Sequence, residues 1–169
     1  MEANDDSLKE KNFTLKSNNL KGQATAKEFF NSFGCTGQNT SPHLSWSGAP
    51  NETESFAVTI YDTVAPSGSG WWHWLIFNIP ADVTELEPDA GDVTKTIAPE
   101  RCVQSINDYS TLGYGGPCPP PGNLHQYIIT VFALKTTLDL DKNTNPAVVG
   151  FNINANTIAK ASMVIYGKR

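Results

Sequence analysis

The 169-residue sequence predicts a mostly β domain with a few short helices, one of them near the C-terminus. Three observations carry this reading. The stretches 55–62 (SFAVTIYD), 71–79 (WWHWLIFNI) and 125–134 (HQYIITVFAL) are dense in β-branched and aromatic residues. The segments between them are rich in Gly, Pro, Asn, Ser and Thr, which interrupt regular structure. Helical spacing shows only over 146–160, at Val149, Ile153 and Ile158. The length suits one domain, placed at 13–169 after a frayed, polar tail over 1–12.

The elements follow in order. Residues 13–15 can open a strand. Residues 34–55 read as turns and short extended pieces. In 55–62, Phe56, Val58 and Ile60 face one side, and Ala57, Thr59 and Tyr61 the other. Residues 63–70 (TVAPSGSG) form a loop. Residues 71–79 are apolar at every parity, which predicts a central strand covered on both faces. Residues 80–100 are acidic and turn-rich. Residues 112–122 (LGYGGPCPPPG) make a stiff Gly/Pro loop. The third strong strand follows, then a polar connection, the helix, and a last strand over 161–166.

Composition narrows the function. Apolar residues make up 39%, enough for a real core. The net charge is −5 and no Lys/Arg cluster occurs, which argues against gripping nucleic acid or an anionic membrane by charge. No apolar run approaches the ~20 residues of a membrane span. Three cysteines, Cys35, Cys102 and Cys118, are too few for a disulfide scaffold and lack C-x-x-C spacing. One pair can bridge in an exported protein, and spacing does not say which. Cys102 and Cys118 flank the Gly/Pro loop region. Residues 1–12 have no apolar signal-peptide core. They fit a mature exported chain, so a periplasmic or secreted location is the favoured expectation and a cytoplasmic one the alternative.

Polar groups gather at strand ends. Asp62 closes the first strong strand on the face of Phe56, Val58 and Ile60. His73 stands near the start of the second, on the parity of Leu75, Phe77 and Ile79. A loop joins the two, so antiparallel pairing brings Asp62 and His73 to one end of the sheet. His125 and Tyr127 open the third strand, directly after the Gly/Pro loop. Four polar groups on otherwise apolar faces need partners, because unpaired burial costs several kcal/mol. The simplest partners are each other. The cluster Trp71, Trp72 and Trp74 reads as core and pocket wall, with no basic groove to make it a base-stacking platform.

Such a cluster can make an anion pocket. Two imidazoles and the Tyr127 hydroxyl supply donors, backbone N–H groups near Gly115 and Gly116 add more, and Asp62 orients one imidazole. The alternatives are a metal site on His73, His125 and a carboxylate, and a serine hydrolase. No G-x-S-x-G elbow marks a nucleophile, and Ser67 and Ser69 lie in a loose S-G-S-G stretch.

Five ordered blocks, SPHLSW (41–46), SFAVTIYDTVAP (55–66), GSGWWHWLIFNIP (68–80), NDYSTLGYGGPCPPPG (107–122) and LHQYIITVFAL (124–134), with the ending ASMVIYGKR, carry a resemblance. The chain resembles the phosphatidylethanolamine-binding protein family in its bacterial and archaeal Raf-kinase-inhibitor-like branch. The resemblance implies a large antiparallel sheet packed on a smaller one, with a few helices at the ends. It implies a small pocket for phosphate-like or acetate-like anions. Carried over residue by residue, Asp62 and Pro66 match the family's D-P-D-A-P block and His73 its W-H block. Gly116, Pro117, Pro119 and Pro120 match the G-P-x-P-P loop, and His125 and Tyr127 the H-R-Y block.

Two departures stand out. The first block reads Asp62-Thr63-Val64-Ala65-Pro66, without the inner Pro and the second Asp. Gln126 replaces the family's Arg, on the parity facing away from the pocket. The resulting expectation is a small anion- or phosphate-binding module, regulatory or inhibitor-like and not an enzyme, with no cofactor. Its partners would be a small anionic ligand (phosphate, phosphomonoester or carboxylate) and a possible protein, with no nucleic acid, no membrane span and a possible homodimer. A hydrolase or metal-dependent enzyme using the same His/Asp pocket is the alternative.

Overall fold

The computed structural model describes residues 12–169. The tail expected over 1–12 therefore lies, but for Asn12, outside the described residues. Eight strands and one helix follow in order: β1 (Thr14–Lys16), β2 (Leu44–Ser47), β3 (Ser55–Asp62), β4 (Trp71–Pro80), β5 (Glu85–Leu86), β6 (Val103–Gln104), β7 (Leu124–Leu134), α1 (Pro146–Asn156) and β8 (Thr157–Lys168). Strands β1-β2-β5 make a small sheet, and β6-β4-β3-β7-β8 a large one. Every pairing within the sheets is antiparallel.

The core splits along strand parity. One face of the large sheet, with Phe56, Val58, Ile60, Trp74, Ile76, Ile129 and Val131, packs with Leu44, Trp46 and Leu86 of the small sheet. The other face, with Ala57, Leu75, Phe77, Phe132 and Leu134, packs with Val149 and Ile153 of α1. Strand β4 is buried on both faces, as its unbroken apolar run requires.

Three expectations change. β5 lies in a segment that reads as turns and β6 in residues 101–111, for which no element is predicted; two residues each are too short to leave a periodic signal. The helix ends at Asn156 rather than near residue 160, and the last strand begins at Thr157 rather than 161. Thr157 is already extended, and the strand pairs with β7 along its length. Ile158 therefore belongs to the strand and not to a helical face. Among the described residues α1 is the single α-helix. Asn145 caps it by accepting from the Ala147 N–H, and Pro146 occupies the first turn, where a missing N–H costs nothing.

The cysteines are also sorted by the fold. Cys35 and Cys118 form a disulfide, with Cα atoms 5.9 Å apart, and Cys102 is free. The bridge ties the loop between β1 and β2 to the Gly/Pro loop.

Candidate functional site

Two pairings build the site. In β3 and β7, Asp62 lies opposite Tyr127, and in β3 and β4 it lies opposite Trp71. His125 projects two residues beyond Tyr127, past the end of β3. The Nδ1–H of His125 donates to Oδ2 of Asp62 at 2.6 Å, with both side chains buried. The other carboxylate oxygen, Oδ1, accepts from the Val64 N–H at 2.9 Å. Val64 stands where the resembled family has its second acid, and its side chain is exposed.

His73 reaches the site by a route that parity does not foresee. Trp74 pairs with Ile60 and Trp72 with Tyr61, so His73 is the extra residue of a β-bulge. Trp72 and Leu75 turn to the helix side, Trp74 turns to the inter-sheet core, and His73 is freed from the face of Leu75 and Phe77. A second irregularity between Phe56 and Val58 moves Ile79 off that parity too. The bulge leaves backbone groups unladdered, and the loop after β6 takes them up. The Trp72 N–H donates to Oδ2 of Asp108 at 2.7 Å, the Asp108 N–H to the Trp72 carbonyl at 3.0 Å, and the Gly115 N–H to the His73 carbonyl at 2.8 Å.

The His73 ring meets carbonyls, not N–H groups. Its Nδ1 lies 2.7 Å from the Gly115 oxygen and 3.1 Å from that of Gly116, so Nδ1 carries the proton. Burial pushes the His73 imidazole down to about 4, against the partial support of those carbonyls and of Asp62, so the ring is neutral at pH 7. The N–H groups expected of Gly115 and Gly116 are not free: Gly116 donates to the side chain of Asn39 at 2.8 Å. The loop thus shows the imidazole its acceptors and spends its donors on its own packing. The expectation of a donor-rich loop is corrected accordingly.

These groups wall a cavity of about 180 Å³, lined by Asp62, Ala65, Pro66, Trp71, His73, Tyr109, Pro120, His125 and Tyr127, with Phe33 and Cys118 at the disulfide side. Tyr127 is fully buried, and among the described residues its hydroxyl has no partner; nor has the indole N–H of Trp71. Burial first, and the charge of Asp62 next, push the Tyr127 phenol far up, so it stays a donor at any ordinary pH. Two larger depressions, of about 570 and 770 Å³, lie around Asp92 and Cys102; neither is lined by an imidazole, and the first shares Phe33 and Tyr109 with the cavity.

The structure thus brings together Asp62, Pro66, His73, Pro120, His125 and Tyr127. Gly116, Pro117 and Pro119 do not line the cavity. The Gly116 carbonyl accepts from Tyr109 as well as meeting His73. Pro117 accepts from the Phe30 N–H, and Pro119 from Nε of Arg169. They hold the wall from behind. Reading by residue type missed Phe33, Trp71's polar edge, Tyr109 and Asn39. Tyr109 sits in the NDYSTLGYGG block and Phe33 in a Gly/Asn-rich loop, and neither lies on a strand whose parity could be read. Among the described residues no group of three or more His, Cys, Asp or Glu is arranged to hold a metal ion, and no helix is long and apolar enough to cross a membrane.

The chain is similar to known proteins over nearly all its length. A UPF0098 protein of Escherichia coli K12, YbcL, is 50% identical over 155 residues, covering 89% of this chain and 85% of its own. YbhB of the same organism is 43% identical over 138 residues, covering 81% and 87%. The crystal structure of E. coli YbcL, described as a new member of the mammalian PEBP family, superposes with a TM-score of 0.91 at 48% identity, covering 93% of this chain and 98% of that one. The sequence profile of the phosphatidylethanolamine-binding protein family matches residues 17–167. With two antiparallel sheets, one C-terminal helix and that match, the chain belongs to the phosphatidylethanolamine-binding protein family.

Proposed function

We propose that this protein is a binding module rather than a catalyst, and that it takes a small oxyanion in the cavity between Asp62, His73, His125 and Tyr127. One observation carries the reading: a buried Asp–His pair, a second imidazole and a phenol without a protein acceptor converge on one small cavity. At ~30 Å³ per water, about 180 Å³ is room for one such group and a few waters. Among the described residues no serine lines the cavity, Ser67 turns its hydroxyl to the Gly70 carbonyl, and Cys118 is bridged, so no hydroxyl or thiol of the Ser/Cys type stands beside the histidines. The Cys35–Cys118 disulfide supports an exported location, because such bonds persist in oxidising compartments.

The test is thermal unfolding with inorganic phosphate. A ligand that binds only the folded state stabilises it by about 2.7 kcal/mol at a hundredfold excess over Kd, which raises Tm. His125→Ala should remove the shift while unfolding remains cooperative. No shift for wild type anywhere between pH 5.5 and 8 overturns the reading. Turnover of an ester substrate, lost in His125→Ala, would put the hydrolase in its place.

A further inference from the structure

Among the described residues the cavity has no permanent cation. The titratable groups facing His73 are Asp62 from β3, His125 and Tyr127 from β7, and Tyr109 from the loop after β6; no described Lys or Arg is in its lining. Donor and acceptor roles are imposed from behind the wall. The Nδ1–H of His73 is committed to the Gly115 and Gly116 carbonyls, so in the neutral ring Nε2 is a lone pair. The Nδ1–H of His125 is committed to Asp62. The N–H groups of Gly115 and Gly116 are consumed by His73 and Asn39. A guest therefore meets an acceptor on His73 and donors on Tyr127 and on the indole of Trp71.

We propose that the pocket selects oxyacids that keep one acidic hydroxyl, above all a singly ionised phosphomonoester, over fully ionised anions of the same shape such as sulfate or a phosphodiester. The guest's O–H donates to Nε2 of His73, and the Tyr127 hydroxyl donates to one of the guest's anionic oxygens. This rests on the anion-pocket reading and adds to it which protonation state is taken. A fully ionised tetrahedral anion offers only acceptors. It would set lone pairs against the lone pair of His73, or force a proton onto a ring whose burial resists it. A buried site built to receive a hydroxyl rejects the analogue that lacks one, because its polar group is then left unpaired. The absence of Lys and Arg from the lining acts in the same direction, since Asp62 already sets a negative charge beside the guest.

The experiment is calorimetric titration of the full chain with methyl phosphate, sulfate and dimethyl phosphate from pH 5.5 to 8. Methyl phosphate should bind at pH 5.5, and its affinity should fall about tenfold per pH unit above about 6, where its second proton leaves. Sulfate and dimethyl phosphate carry no proton in this range and should bind at least tenfold more weakly at pH 5.5. His73→Phe, which keeps a ring but has no acceptor, should bring methyl phosphate and sulfate to within about twofold of one another. If the three anions bind alike in wild type, or methyl phosphate binds with no pH dependence, the selection is overturned while the anion pocket stands. A shared pH dependence without discrimination also overturns it, since the guest's own hydroxyl would then not be what is recognised. If none of the three, nor inorganic phosphate, binds at any pH, the pocket reading fails and this inference with it. The wild-type arms decide the matter even where His73→Phe does not fold.

Discussion

The carboxylate of Asp62 and the imidazole of His125 meet at 2.6 Å across 63 residues of chain, both buried. The β3–β7 register brings them together, because Asp62 pairs with Tyr127 and His125 follows on the same face past the end of β3. Asp62 has no idle oxygen, since Oδ1 also closes the turn at Val64. Asp62→Ala leaves the His125 N–H buried without an acceptor and should cost about 2–3 kcal/mol. Asp62→Asn keeps an acceptor and should cost roughly half of that. Urea unfolding of the three proteins decides it; equal stabilities would show that the pair adds nothing to the fold.

His73 makes stability depend on pH. Its folded value, about 4, lies below the unfolded 6.5. The unfolded chain therefore binds the proton more readily between these values. The stability that His73 contributes is fully present above pH 6.5 and is lost as pH falls towards 4, by roughly 3 kcal/mol in all. The difference in unfolding free energy between wild type and His73→Phe, followed from pH 7 to 4, should show that slope. A flat difference would mean that the ring is charged in the fold.

The Cys35–Cys118 bridge closes a loop of 83 residues. Chain-entropy arguments give such a bridge about 4.5 kcal/mol, and reduction should lower Tm accordingly. Because Cys118 and Phe33 line the cavity, reduction should also weaken anion binding. Thiol counting on the denatured protein should find one thiol without reductant and three with it. The single thiol is Cys102, whose burial pushes its pKa up to about 11, so it should react slowly in the folded protein.

The Tyr127 hydroxyl is buried with no acceptor among the described residues. Tyr127→Phe should leave the ligand-free protein as stable, or more stable by up to ~1 kcal/mol, because an unpaired buried hydroxyl is a cost. The same change should weaken phosphate binding about tenfold. Unfolding and titration on one sample separate the two effects, and a stability loss above ~1 kcal/mol would show that the hydroxyl has a structural partner.

Gly116 admits no side chain. A Cβ there would lie 1.9 Å from the Glu28 carbonyl and 2.8 Å from the Phe30 nitrogen, and both atoms are backbone. Gly116→Ala should cost at least ~2 kcal/mol and displace the loop behind His73. Retention of wild-type Tm and phosphate affinity would contradict this packing.

The strands β3, β4 and β7 could be read from the chain alone, because alternation and β-branched density are local properties. Asp62, His125 and Tyr127 could be placed together for the same reason: simple parity on β3 and β7 holds to the strand ends. The family blocks added Pro66 and Pro120. What local pattern could not carry was decided by tertiary contacts. His73 reaches the cavity through a bulge whose freed backbone is received by Asp108 and Gly115, some forty residues further along the chain. The disulfide partner of Cys118 depends on where the loop around Phe33 folds back. Whether a ring nitrogen donates or accepts depends on the atom facing it, and for His73 those atoms are carbonyls of the distant Gly/Pro loop. Residue types determined which groups could meet. The hydrogen-bond roles they play were settled by neighbours remote in sequence, because directionality is a property of the pair and not of either residue.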